Sequence, residues 1–219
     1  MPLYIVATPI GNLEDITLRA LRILKEADLI AAEDTRRTLK LLTHYQIKNK
    51  LESYNDFNKE KKTKFLISIL KENKSIALVS DSGTPGISDP GFNLIRECIR
   101  NNIQIIPVPG PNAAISALIC SGLPTDKFTF YGFLPKKEKA KTDFFNSIKE
   151  EKKTVILYDS PHRIKETLRL LSEILPEKNI VIARELTKKF EEFIRGTAKE
   201  LNEKLKDREI KGEIVLIIS

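Results

Sequence analysis

Ser80–Gly91 reads SDSGTPGISDPG and directly follows the apolar run Ser75-Ile-Ala-Leu-Val79. The run is short, continuous and closed by turn residues, which predicts a buried strand of a parallel sheet rather than a helix. Three glycines and two prolines then build a loop that positions backbone instead of packing. Gly83, Gly86 and Gly91 permit positive φ or close approach to a ligand, while Pro85 and Pro90 stiffen the path between them. Ligands of open α/β sheets bind outside the carboxyl ends of the strands, so this loop is expected to form the floor of a small-molecule site. The alternative is an ordinary strand-to-helix connection.

Reading outward, the same grammar recurs. Leu3-Tyr-Ile-Val-Ala7 is a first strand ending in Thr8-Pro-Ile-Gly-Asn12, and Asp15 is placed to cap a helix with Ile16, Leu18, Leu21 and Leu24 at helical spacing. Asp28-Leu-Ile-Ala-Ala32 delivers the polar cluster Glu33-Asp34-Thr35-Arg36-Arg37, in which Asp34 or Thr35 can cap the next helix; residues 48–58 read as polar and irregular. Asp89-Pro90 has the pairing of a helix start, and a further strand ends in Pro109-Gly-Pro-Asn-Ala113 before a small-residue helix. The composition of Gly122-Leu-Pro-Thr-Asp126 suggests a linker, which divides the chain into 1–122 and 123–219. Beyond it come strands near Phe128, Thr154, Asn179, Phe190 and Ile214. Ser160 and Pro161 are expected to start one helix, and Thr197-Ala-Lys-Glu200 opens another as a capping box. Both halves alternate strand and helix, so the fold class expected is α/β with two domains.

Several chemistries are excluded. The two cysteines, Cys98 and Cys120, form no CxxC and have only His44 and His162 to join them, which argues against a zinc site or disulfide framework, and no metal is expected. No run approaches the length of a membrane span, and the first residues read as a strand rather than a signal peptide, so the expected location is the cytoplasm. Neither GxxxxGK[ST], GxGxxG after the first strand nor GxSxG is present, which removes the best support for ATPase, dinucleotide and serine-hydrolase readings. The formal charge of +7 is uneven. Between Arg36 and Lys74, two arginines and nine lysines face four acidic residues, an excess equal to that of the whole chain. Such a segment reads as a phosphate-facing surface or as a solvated helical face.

Taken together, TPIGNLEDITLRAL, AEDTRRT, SDSGTPGISDPG, VPGPNAAISAL, YDSPHRI and ARELTKKFEE closely resemble the ribosomal RNA 2′-O-methyltransferases of the tetrapyrrole methylase superfamily, in order and over nearly the whole chain. The resemblance implies a class III methyltransferase, usually a homodimer, holding S-adenosylmethionine in a cleft between two α/β domains. The implied substrate is the 2′-hydroxyl of a cytidine in 16S ribosomal RNA. Ser82 stands where alanine is expected, Arg37 where histidine is common, and Asp159-Ser160 where Glu-Ala is typical. Two rivals remain at this stage: a tetrapyrrole methyltransferase of the same fold and a non-catalytic RNA-binding module.

Carried over residue by residue, the resemblance assigns cofactor binding to Pro9, Asp81, Ser82, Gly83, Thr84, Ile87, Asn112 and Ala113, with Tyr158, Asp159, Gly212 and Glu213 contributing from the second domain. Asp81 is the carboxylate expected to orient the donor; the competing role is an Asx-turn that holds its loop. Asp34 and Glu185 are the candidate general bases for the weakly acidic hydroxyl, with structural ion pairs of Glu33 and Glu185 to Arg36 or Arg184 as the alternative. Arg36, Arg37, Lys40, Lys59, Lys61, Lys62 and Lys64 are expected to contact the RNA backbone.

Overall fold

A computed structural model describes residues 1–219 and divides them into two units, residues 1–112 and 113–219. The first unit is a five-stranded sheet built from β1 (Leu3–Val6), β2 (Leu29–Ala32), β3 (Leu51–Ser53), β4 (Ile76–Val79) and β5 (Ile105–Val108). Its spatial order is β3-β2-β4-β1-β5, and every pair is parallel. Four helices connect the strands: α1 (Leu18–Glu26), α2 (Thr35–His44), α3 (Lys59–Lys71) and α4 (Phe92–Arg100).

The alternation along β4 shows why both faces must be covered. Ala77 and Val79 pack with Ala20, Ile23 and Leu24 of α1 and with Leu41 and Leu42 of α2. Ile76 and Leu78 face the other way, into Leu66, Ile67 and Leu70 of α3 and Leu94 and Cys98 of α4. A strand buried on both faces is apolar at every position, which is why the run before Ser80 showed no alternation. The strand order has a further consequence. From β1 the chain crosses over β4 to reach β2, whereas from β4 it crosses over β1 to reach β5. Neighbouring β1 and β4 thus send their connections in opposite directions, which makes their carboxyl ends the topological switch point.

The second unit begins with α5 (Ala113–Ile119), followed by β6 (Phe128–Phe133), α6 (Glu138–Ser147), β7 (Thr154–Asp159), α7 (Ile164–Ile174), β8 (Asn179–Arg184), β9 (Glu192–Thr197), α8 (Ala198–Leu205) and β10 (Ile214–Ile218). Its sheet runs β6-β7-β10-β8-β9, with only β6 and β7 parallel. One core gathers Phe145, Leu168, Leu171, Leu201 and Leu205 over Val155, Leu157, Ile182 and Leu216.

The structure revises several local expectations. The division falls after Asn112 rather than after residue 122, because α5 belongs with the second unit, packing against β7 and β10. Asp15 does not cap α1: residues Leu13–Asp15 form a 3-10 turn capped by Asn12, and the Thr17 hydroxyl accepts the Ala20 N–H to start the helix. That shift leaves Leu18 exposed and buries Ala20 and Ile23 in its place. The polar segment 48–58 contains β3, an edge strand whose residues are all only half-buried and therefore lack an apolar signature. α4 starts at Phe92, not at Asp89-Pro90, with Gly91 at φ 156° before it. Ser160 likewise opens the turn ahead of α7, accepting the Arg163 N–H at its carbonyl, rather than capping the helix itself. The capping box at Thr197 is present with both reciprocal bonds, Glu200 N–H to the Thr197 hydroxyl at 3.2 Å and Thr197 N–H to the Glu200 carboxylate at 2.8 Å. Thr197→Ala should therefore cost ~1 kcal/mol of stability, read as a lower urea midpoint without a change in slope.

Candidate active site

Two backbone hydrogen bonds build the site in the first unit. Thr8 N–H donates to the Gly83 carbonyl and Gly83 N–H donates to the Thr8 carbonyl, each at 2.9 Å, which joins the loop after β1 to the loop after β4 at the switch point. Gly83 holds φ +78°, a conformation that a side chain would strain. The loop after β5 is attached next: the Thr84 hydroxyl donates to the Pro111 carbonyl at 3.2 Å, and Asn112 Nδ2 donates to Thr84 Oγ1 at 3.3 Å. Gly110 lies so close to Ala7 that an added Cβ would approach the alanine Cβ to 3.0 Å. Three strand-end loops thus share one rigid floor.

The loop after β2 joins through carboxylates. Asp34 N–H donates to Asp81 Oδ1 at 3.0 Å, Asp81 N–H donates to Glu33 Oε2 at 3.2 Å, and Arg37 Nε lies 3.4 Å from Asp81 Oδ2. The two hydrogen bonds link residues separated by 47 and 48 positions, which only the adjacency of β2 and β4 brings together. A shallow pocket within this unit is lined in part by Thr8, Pro9, Arg37, Lys40, Ser80 and Asp81. Of the expected cofactor positions, Pro9, Asp81, Ser82, Thr84 and Asn112 are half-buried here, Gly83 is buried, and Ile87 is exposed.

Negative charge is concentrated at this edge. Burial raises the Glu33 carboxyl above its ordinary value, and the charges of Asp81 and Asp56 add to the shift against the Asp81 N–H that it accepts. Asp89 is pushed up to about 6, first by burial and then by the charge of Glu33. No lysine or arginine forms an ion pair with Glu33 or Asp89. Asp34 is different in kind. Its carboxylate caps α2 through the Arg36 N–H at 2.9 Å and grips the Arg36 guanidinium at 3.0 and 2.6 Å, and these bonds hold it well below the usual carboxylate range.

In the second unit the expected positions fall in two places. The Tyr158 ring packs edge-on against Phe130 and Phe133, with centroids 5.0 and 5.3 Å away. Asp159 is buried, and its carboxylate is occupied by Ser160 N–H at 2.8 Å, Thr167 Oγ1 at 2.7 Å and Arg163 at 3.3 Å, so it secures the start of α7. Any contact Asp159 makes with a ligand therefore falls to its backbone. Glu185, at φ 50°, accepts Glu213 N–H at 3.0 Å and Lys188 Nζ at 2.9 Å, with the lysine chiefly responsible for a lowered pKa. Gly212 holds φ +88°, a conformation that a side chain would strain, and a Cβ there would also press on the Glu185 side chain. Ala113 sits in the first turn of α5.

These environments change the reading of the base. A carboxylate stabilised in its charged form is a poorer proton acceptor, and both Asp34 and Glu185 are so stabilised. The basic residues also separate into two kinds. Lys59 pairs with Asp56 at 2.9 Å and Lys62 with Glu52 at 2.6 Å, whereas Lys40, Lys61 and Lys64 are exposed and engage no carboxylate. Sequence reading gave Glu33 an ion pair and Asp89 a cap; the raised pKa of each comes first from burial, then from carboxylates on other loops, Asp81 and Asp56 for Glu33 and Glu33 for Asp89.

The sequence model of the family described as Tetrapyrrole (Corrin/Porphyrin) Methylases matches residues 2–202. A curated relative, the ribosomal RNA small subunit methyltransferase I of Halalkalibacterium halodurans, is 54% identical over 216 residues, covering 99% of this chain and 75% of that one. Among solved structures, the cobalamin biosynthetic enzyme cobalt precorrin-4 methyltransferase aligns with a TM-score of 0.72 at 18% identity, over 100% of this chain and 94% of that one. The uroporphyrin-III C-methyl transferase of Thermus thermophilus, complexed with S-adenyl homocysteine, aligns at 0.65 and 18%, over 100% and 97%. The fold is that of the class III methyltransferases. The chain belongs to the tetrapyrrole methylase family and, within it, to the group of ribosomal RNA small subunit methyltransferase I.

Asp89 supplies a test of the site's electrostatics. Its folded pKa of about 6 lies above the ordinary 3.8, so the stability linked to its protonated form is complete below the lower value and is lost as pH rises through the higher one. Asp89→Asn should raise the thermal midpoint relative to the parent at about pH 7.5 and match it near about pH 4. The carboxyl carbon resonance of Asp89 should titrate with its midpoint near 6.

Proposed function

We propose that this protein transfers a methyl group from S-adenosylmethionine to the 2′-hydroxyl of a cytidine ribose in 16S ribosomal RNA. The observation that carries the reading is 48–54% identity, over 99% of the chain, to relatives named ribosomal RNA small subunit methyltransferase I. The tetrapyrrole alternative rests on structures that share the fold at 18% identity. A non-catalytic RNA-binding role would leave unexplained a switch-point floor flanked by two carboxylates, Glu33 and Asp89, that form no ion pair with a basic residue.

The donor set suits the cofactor. S-adenosylmethionine supplies, when bound, a methyl group activated by a positively charged sulfur. Glu33, Asp81 and Asp89 make the edge electronegative, which favours a cation, while Thr84, Asn112 and loop backbone groups offer neutral donors and acceptors for an amino acid head and a nucleoside. Gly83 and Gly110 allow the backbone itself to form the wall. The complex of the uroporphyrin-III C-methyl transferase with S-adenyl homocysteine supports the same reading.

The chain's own contribution is chiefly position. Asp81 is held by Asp34 N–H and Arg37, so its carboxylate is oriented before any ligand arrives. Aligning a hydroxyl with an electrophile in this way supplies much of the barrier reduction in a displacement reaction. Proton removal from the 2′-hydroxyl falls to a carboxylate whose surroundings raise its basicity, and Glu33 and Asp89 meet that condition while Asp34 and Glu185 are tied into ion pairs. General base catalysis is worth about 10² to 10⁴ in rate. Arg37 serves the Asp81 floor as well as the basic surface, so the unpaired Lys40, Lys61 and Lys64 are the clearer RNA-backbone contacts. We carry a homodimer and a cytoplasmic location forward in this reading; no helix is long and apolar enough to cross a membrane.

The test is methyl transfer to naked 16S RNA and to small subunits, followed by mapping of the modified nucleotide; modification of a tetrapyrrole in place of RNA would overturn the assignment. Asp81→Ala should abolish donor binding in calorimetry. In pH–rate profiles at saturating donor, Glu33→Gln or Asp89→Asn should lower kcat by about 10²-fold or more, whereas Glu185→Gln should have a smaller effect.

A further inference from the structure

Phe57 is fully exposed, at 101% of its reference area, and the loop that carries it is nonetheless tightly bonded. Phe57 N–H donates to Asn55 Oδ1 at 3.1 Å, Asn55 N–H to Asn58 Oδ1 at 2.9 Å, and Asn58 Nδ2 to the Ser53 carbonyl and hydroxyl at 3.2 Å each. Tyr54 anchors the base of the loop. Its N–H donates to the Ala32 carbonyl at 2.8 Å, its hydroxyl meets Thr63 Oγ1 at 3.2 Å and accepts the Leu94 N–H at 3.1 Å. The ring is therefore held out in water by an ordered backbone.

Its position joins it to the proposed substrate side of the first unit. The loop follows β3, whose parallel neighbour β2 ends in Glu33–Arg37, and Asp56 lies near enough for its charge to act on Glu33. The exposed residues beside it in the chain are polar, Asp56 before it and Glu60 and Lys61 after it, and Lys61 and Lys64 carry unpaired positive charge on α3. The other large apolar side chain that this segment exposes is Phe65 on α3, and the Lys62 ammonium lies over its ring. Exposed aromatic rings among lysines are the chemistry that receives an unstacked base while cations contact the backbone, and Phe57 is the fully exposed one.

We propose that Phe57 stacks on an unpaired nucleobase of the ribosomal RNA substrate near the nucleotide to be methylated. The inference rests on the ribosomal RNA reading and adds a substrate-positioning contact to it. Binding of a labelled 16S RNA fragment is measured by anisotropy over a range of salt concentrations for the parent, Phe57→Ala, Phe57→Trp and the Lys61→Ala/Lys64→Ala double variant. Phe57→Ala should weaken binding about tenfold to a hundredfold with an unchanged salt slope, and Phe57→Trp should restore it, because stacking is lost without loss of charge. The lysine variant should show a shallower slope. Donor affinity, read by calorimetry, should be the same for Phe57→Ala and the parent. Parent-like RNA affinity of Phe57→Ala, with the parent methylating the RNA, would overturn the stacking role alone. A change in molecular mass with unchanged RNA affinity would overturn it in favour of contact with a second copy. A parent that neither binds nor methylates the RNA would remove the functional reading and this inference with it.

Discussion

The reciprocal pair of hydrogen bonds between Thr8 and Gly83 is the constraint on which the first unit's site depends. It closes the carboxyl ends of β1 and β4 into one surface at the position where the connections diverge. The loop after β5 attaches through Thr84, Pro111 and Asn112, and the loop after β2 attaches through Asp81. Four loops far apart in sequence thereby share a backbone frame. A frame of this kind orients ligand groups without conformational cost at the moment of binding, which suits a reaction governed by alignment.

Electrostatics at the same edge separates the carboxylates into roles. Asp34 spends its charge on a helix amino terminus and on Arg36, and Asp159 and Glu185 spend theirs on local anchors in the second unit. Glu33 and Asp89 are left facing other carboxylates. Their raised pKa values reflect burial beside like charges, a cost that a cation at this edge would reduce.

Much of this was legible before any coordinates. The buried strand before Ser80, the glycine and proline loops, the α/β class and the capping box at Thr197 all follow from local stereochemistry. Other features were not. β3 escaped because a half-buried edge strand has no apolar period, and Asp15 read as a cap although the Thr17 hydroxyl is the one that accepts the Ala20 N–H. The division of the chain was placed at the glycine and proline segment near residue 122, yet the small apolar face of α5 packs on β7 and β10. Composition marks flexible chain, and packing decides membership.

What the sequence by itself determined was the inventory: short apolar runs that must be buried strands, loops whose glycines allow unusual backbone, a basic segment from Arg36 to Lys74, and a motif order that identifies the family. Those properties are local, set by side-chain volume, φ preference and charge. The tertiary structure decided which side chains meet. Strand order places β2 beside β4 and so brings Glu33 and Asp34 to Asp81, which ties the Asp34 carboxylate to Arg36 at the start of α2 and leaves Glu33 and Asp89 without an ion pair. Partner choice is a property of adjacency, and adjacency is encoded by how the whole sheet covers its two faces rather than by any one stretch of chain.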